Sequence, residues 1–141
     1  MLNFRPEISA AAKWIWPHGP STWAACKQTL VTDYLFATCD NVMKIYFDGI
    51  VALSEDNDWT ITTKIVIPSG TKVVGIQCKD LGGYKGILAS SPSGMVTDEG
   101  WQCSANENLV GWSDPGFIDA SGDFSSPTSY GVNGVGPWGS R

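Results

Sequence analysis

The chain has 141 residues, of which 16% are charged, and a formal net charge of -5 with a pI near 4.6. That size suits one domain spanning residues 1–141, with a core large enough to need no metal or disulfide. The nine Lys and Arg form no basic stripe, which argues against nucleic acid as a partner, and no apolar run approaches the roughly 20 residues that span a bilayer.

In chain order, "MLNFRPEISA" lacks the basic and apolar regions of a signal peptide. "AKWIW" reads as a strand whose Trp14 and Trp16 alternate onto one face, as core or edge plugs. Past the Pro- and Gly-rich stretch "PHGPS" comes Trp23. His18 is the lone histidine, expected exposed, and without a second ligand it cannot hold zinc. "VMKIYFDG" followed by "IVALS" predicts a hairpin that turns at Asp48 and Gly49. "WTITTKIVIPSGTKVVGIQCKD" contains two β-branched runs split by Pro68, Ser69 and Gly70, which predicts a strand, a turn and an antiparallel strand. "GGYKGILAS" and "MVTDEGWQCS" offer two more. From Asn106 onward turn formers dominate, with no strand predicted and room for one helical turn at Pro115 to Ile118. Seven or eight short strands in a chain poor in charge predict an all-β fold, a β-sandwich or jelly roll.

Cys26, Cys39, Cys78 and Cys103 lack the C-x-x-C spacing of zinc or redox sites, and three pairings are open to them. An even count in a strand-rich chain favours disulfides and an extracellular, secreted protein; the alternative is four buried thiols.

The segments "IYFDGIVALSEDNDW", "IPSGTKVVGIQCKDLGGYKGILAS" and "VTDEGWQCS" together resemble the galactose-binding-like jelly-roll modules found among lectins and beside glycoside hydrolases such as α-L-rhamnosidases. "AKWIW" at the head and "GWSDPGFIDAS" with "YGVNGVGPWG" at the tail look like flanking pieces of the same modules, which occur as tandem repeats in extracellular proteins of marine invertebrates. The resemblance runs from about Ile8 to Trp138, and one departure is "GDF" at Gly122 to Phe124, near which the family usually carries Trp. It implies a galactose-binding-like β-sandwich and, in rhamnose-binding relatives, a calcium-assisted sugar site of Asp and Asn side chains in loops at one end.

Three polar loops are candidate sites. "SEDNDW" places Asp56, Asn57 and Asp58 where their oxygens suit calcium or sugar hydroxyls, with Trp59 either stacking on a sugar ring or buried in the core. "CKDLGGYKG" offers Lys79 as donor, Asp80 as acceptor and Tyr84 as an aromatic wall, although turn chemistry alone would explain its glycines. "GWSDPGF" adds Trp112, as a wall or packed beneath its loop. No G-x-S-x-G elbow, H-E-x-x-H motif or cysteine–histidine pair marks an enzyme. The expected function is therefore non-catalytic carbohydrate binding, lectin-like, in single, tandem or oligomeric form. The rival is an extracellular adhesion or assembly module without sugar specificity.

Overall fold

A computed structural model describes residues 8–29, 34–56, 59–136 and 138, with the side chains of Glu55 and Asp56 outside that description. Among the described residues there are ten strands: β1 (Lys13–Trp16), β2 (Trp23–Thr29), β3 (Tyr34–Asp40), β4 (Val42–Phe47), β5 (Ile50–Asp56), β6 (Thr63–Val66), β7 (Val73–Lys79), β8 (Gly86–Ser90), β9 (Gln102–Ser104) and β10 (Thr128–Val132). They form two five-stranded antiparallel sheets, ordered β10-β1-β8-β3-β6 and β5-β4-β7-β2-β9. The fold is the predicted all-β sandwich.

Period-two alternation divides each strand between two faces. Ile15, Leu35, Ala37, Cys39, Ile87 and Ala89 from the first sheet meet Cys26, Met43, Ile45, Val74, Ile76 and Cys78 from the second in one buried core. The opposite faces carry smaller clusters. Trp14, Leu88 and Trp138 lie outside the first sheet, with half-buried Phe36 and Trp59 against them. Outside the second sheet, Trp23, Ala25 and Trp112 pack with Tyr46, Phe117 and Phe124.

The predicted β4–β5 hairpin is present, and both residues of its turn are left-handed, Asp48 at φ 49° and Gly49 at φ 81°. Asp and Gly tolerate that backbone, which matches the twist of the flanking strands. Asp48 Oδ1 also accepts hydrogen bonds from Lys72 and Val73 N at 2.9 and 2.8 Å, so the turn is pinned to the start of β7.

The structure corrects five local expectations. β6 and β7 do not form a hairpin: the chain changes sheets between them, β6 pairing with β3 and β7 with β2 and β4. Pro68 to Gly70 signals a reversal but carries no information about which sheet receives the next strand. The tail contributes β10, paired with β1, where no strand is expected. β2 and β3, unremarked in the sequence pattern, supply much of the core. Pro115 to Ile118 form a turn and no helix. Trp14 and Trp16 do not share a cluster, because the β1–β10 register shifts between Trp14 and Ile15; Trp14 packs outside the sheet and Trp16 enters the main core.

Two disulfides close the framework. Cys26–Cys103 joins directly paired residues of β2 and β9, while Cys39–Cys78 crosses the core from β3 to β7 and ties the two sheets together.

Candidate functional site

One end of the sandwich gathers the β1–β2 loop, the β3–β4 turn, the β7–β8 loop and the tail. β3 ends at Asp40, whose register partner is Gly86 at the start of β8. Gly86 matters for space: a Cβ there would lie 2.8 Å from Trp14 Cε3 and 3.3 Å from Trp138 Cζ2. The bare backbone lets Trp138 stack on Trp14 with ring centroids 4.3 Å apart and planes 16° from parallel. Trp138 Nε1 then donates 3.1 Å to Oδ2 of the buried Asp40, which fixes the indole in the plane of the stack.

Two tyrosines stand against this anchored indole. Tyr84 meets Trp138 edge-on at 6.2 Å, and Tyr130 lies tilted at 6.1 Å. With Gly83, Lys85 and Gly136 these rings wall an open groove of about 370 Å³. Tyr84 is 66% exposed, so its ring is held out toward solvent instead of being spent on the core. Burial pushes the Tyr130 phenol above its ordinary value, and its hydroxyl can donate at neutral pH as any tyrosine's can. Lys85 Nζ donates 2.9 Å to Ser21 O, bracing the groove against the β1–β2 loop.

The β7–β8 loop beneath is built from backbone hydrogen bonds. Asp80 is buried, its N–H donating to Thr22 O at 2.7 Å and its Oδ1 accepting from Gly82 N at 3.2 Å. Asn41 follows Asp40 across a cis peptide; its N–H donates to Lys79 O at 3.1 Å, and its Oδ1 accepts from Leu81 N at 2.8 Å. Asp80 thus shapes the turn that carries Tyr84, while Lys79 is exposed at the end of β7.

The other sequence-predicted residues part company. Trp59 is half-buried against the Trp14–Trp138 cluster, and its carbonyl accepts from Thr38 Oγ1 at 3.2 Å. Trp112 lies on the far side of the molecule, buried outside the other sheet, edge-on to Tyr46 at 5.3 Å and stacked near Phe124 at 6.2 Å. Its carbonyl accepts 2.9 Å from Lys27 Nζ, which sits 4.4 and 4.3 Å from the rings of Phe117 and Phe124. Burial lowers the Lys27 pKa, and Asp119 opposes that shift. Phe124, the departure noted in "GDF", fills this cluster.

Asn57 and Asp58 lie outside the described residues, as does the Asp56 side chain. Backbone register nevertheless puts Asp56 opposite Val42, whose other neighbour is Lys79, so the acidic stretch begins at the groove end of the sandwich. Among the described residues no group of three His, Cys, Asp or Glu is placed to hold a metal ion. His18 is exposed and shares a 2.6 Å hydrogen bond through Nδ1 with Thr128 Oγ1.

No family model and no curated protein matches the chain. Solved structures do. An α-L-rhamnosidase of Streptomyces avermitilis, complexed with L-rhamnose, superposes with a TM-score of 0.75 at 21% identity over 95% of this chain and 16% of the enzyme. The apo lectin of Pleurotus ostreatus gives 0.76 at 24% identity over 91% of this chain and 44% of the lectin. The same lectin in complex with GalNAc gives 0.74 at 22% identity. The fold is the galactose-binding-like β-sandwich. The chain spans less than half the length of either neighbour. Within that galactose-binding-like frame Trp138, Tyr130 and Lys85 went unread in the sequence, although "GPWGS" and "SYGV" each place one aromatic in an otherwise small-residue run.

Proposed function

We propose that this chain is a non-catalytic, lectin-like carbohydrate-binding module. The observation that carries the reading is the groove of about 370 Å³ walled by Tyr84, Tyr130 and Trp138. The exposed Tyr84 and Tyr130 rings, held at fixed angles by the buried Trp138 behind them, suit the apolar face of a pyranose, while nearby polar groups orient its hydroxyls. The rhamnosidase neighbour complexed with L-rhamnose and the lectin neighbour complexed with GalNAc support a sugar as ligand. Two disulfides support an extracellular setting. A shallow groove of this kind binds one sugar weakly, and tandem copies or homo-oligomers raise avidity through effective concentration.

The finer proposal places calcium at Asp56, Asn57 and Asp58, whose consecutive oxygen-bearing side chains match the donors a hard cation takes. Asp56 begins this stretch at the groove end. A glycan array run with calcium and with a chelator tests both parts. Tyr84→Ala is expected to weaken glycan binding about tenfold while leaving the melting temperature unchanged; undiminished binding removes the groove from the site. Binding that survives both chelation and Asp58→Ala removes calcium.

A second reading, an assembly or adhesion module, is favoured by apolar side chains near the sandwich edge formed by β5 and β6. Ile50, Val51, Ile61 and Val66 are exposed there. Self-association that free monosaccharides do not compete, in a chain silent on the array, selects this reading.

A further inference from the structure

A second concavity, about 310 Å³, opens between the β1–β2 loop, the end of β9 and the loop before β10; Pro17, His18, Ser104, Asn106, Gly122 and Asp123 line it. Its walls are polar where those of the first groove are aromatic, and they are rigidly built. Cys103 and Ser125 exchange both backbone hydrogen bonds at 2.8 and 3.0 Å, and the Cys26–Cys103 disulfide ties the same strand to β2. The Asp119 carboxylate accepts from Asp123 N and Phe124 N at 2.8 and 2.9 Å, which fixes the turn that presents Asp123.

The side chains in this cavity satisfy one another only in part. Asn106 Nδ2 donates 3.3 Å to Asp123 Oδ1, its Oδ1 accepts from Asn108 N at 3.0 Å, and its N–H donates to Ser104 Oγ at 3.1 Å. His18 is held through Nδ1 by Thr128. Asp123 Oδ2, the second Nδ2 hydrogen of Asn106 and His18 Nε2 are left without a partner among the described residues. A carboxyl oxygen, an amide donor and an imidazole nitrogen therefore surround one preformed volume.

That set selects its ligand. No Lys or Arg lines the cavity and Asp123 does, so anions are repelled. A metal ion finds no group of three His, Cys, Asp or Glu among the described residues. Adjacent hydroxyls suit what remains: a carboxylate oxygen accepts from two of them, and an amide hydrogen donates to a third oxygen. We propose that this cavity is a second binding site, for a neutral hydroxyl-rich ligand such as a pyranose, separate from the aromatic groove. The two sites adjoin through the β1–β2 loop, whose Ser21 carbonyl holds Lys85 of the groove and whose His18 lines the cavity. Preorganisation spares the ligand the cost of ordering its site, and simultaneous use of both sites by one polysaccharide gains effective concentration.

The test is a 15N-amide NMR titration with the methyl glycosides of glucose, galactose, mannose and rhamnose, each taken to tens of millimolar. The expected result is a saturable shift of the Asn106 side-chain amide and the Gly122 backbone amide. Asp123→Asn weakens that response about tenfold. His18→Ala, at an exposed position, weakens it too, and both variants leave the Trp138 indole signal as in the parent. Tyr84→Ala does the reverse, so failure of the groove and failure of this cavity are read separately. Absence of shifts at Asn106 and Gly122 with every glycoside overturns the proposal, whatever the groove does. So do shifts that persist undiminished in both the Asp123 and His18 variants.

Discussion

Replacing Gly86 by alanine adds one methyl group where the structure has no room for it. The new Cβ would stand 2.8 Å from Trp14 Cε3 and 3.3 Å from Trp138 Cζ2. Carbon atoms rest about 3.5–4.0 Å apart, so Trp14 must retreat by about 1 Å and Trp138 by about half as much. Trp14 has nowhere to go: it is fully buried beneath Trp138, and the Nε1 bond to Asp40 holds the upper ring. Overpacking of this kind costs about 1–3 kcal/mol. The entropy that alanine removes from the unfolded chain returns about 0.4–1 kcal/mol. The mid-values leave a net loss of about 1.3 kcal/mol, which for a chain of 141 residues lowers the melting temperature by about 4 °C. Thermal melts followed by near-UV circular dichroism read both the stability and the tryptophan stack, and glycan binding is expected to fall with the displaced Trp138. Gly136→Ala is the control for the melt and the near-UV spectrum alone, since a Cβ there meets nothing within 4 Å although Gly136 lines the groove. A Gly86→Ala protein that melts with the parent and keeps its near-UV spectrum refutes the steric account of the groove floor.

Non-reducing peptide mapping is expected to return Cys26–Cys103 and Cys39–Cys78, and any other pairing contradicts the sheet arrangement. Removing Cys39–Cys78 by a double alanine substitution opens a ring of sequence separation 39 and costs up to about 4 kcal/mol. That figure is an upper one because Cys26–Cys103 already encloses the smaller ring; melting unchanged from the parent sinks the idea that this bond staples the sheets. Glu99 is held below its ordinary carboxylate range by its own backbone N–H and then by Lys13, whose Nζ lies 3.0 Å away. A depressed carboxylate stabilises the fold above its unfolded pKa and loses that contribution as pH falls through the folded value. Glu99→Gln is therefore expected to melt slightly below the parent at pH 7, with the gap closing once the pH drops below about 4.5. A gap that stays constant from neutral to acid pH excludes the ion pair as its cause.

Local signals carried the fold class a long way. Asp48–Gly49 specifies its hairpin because few other residue pairs accept left-handed backbone twice in succession, and low charge with β-branched runs specifies strands buried on at least one face. The same signals named Tyr84 and Asp80, since a Gly-Gly loop between two apolar strands has few places to be except an exposed end of a sandwich. Nothing local distinguishes the tryptophans. Trp112 and Trp138 both sit in Gly-, Ser- and Pro-rich tail segments, yet one is buried behind β2, β4 and β7 and the other stacks on Trp14 at the groove.

What decides between those fates is long-range pairing. The tail reaches the groove only because β10 joins β1 across more than a hundred residues. β6 and β7 separate because two sheets compete for consecutive strands, and the disulfide pairing follows from which strands end up facing across the core. By itself the sequence determined that this chain makes short antiparallel strands with polar, glycine-rich loops at their ends, because turn chemistry and side-chain alternation act within a few residues. Only the tertiary structure decided which loops share an end, and so which aromatic rings meet, because that depends on burying two faces of each sheet at once.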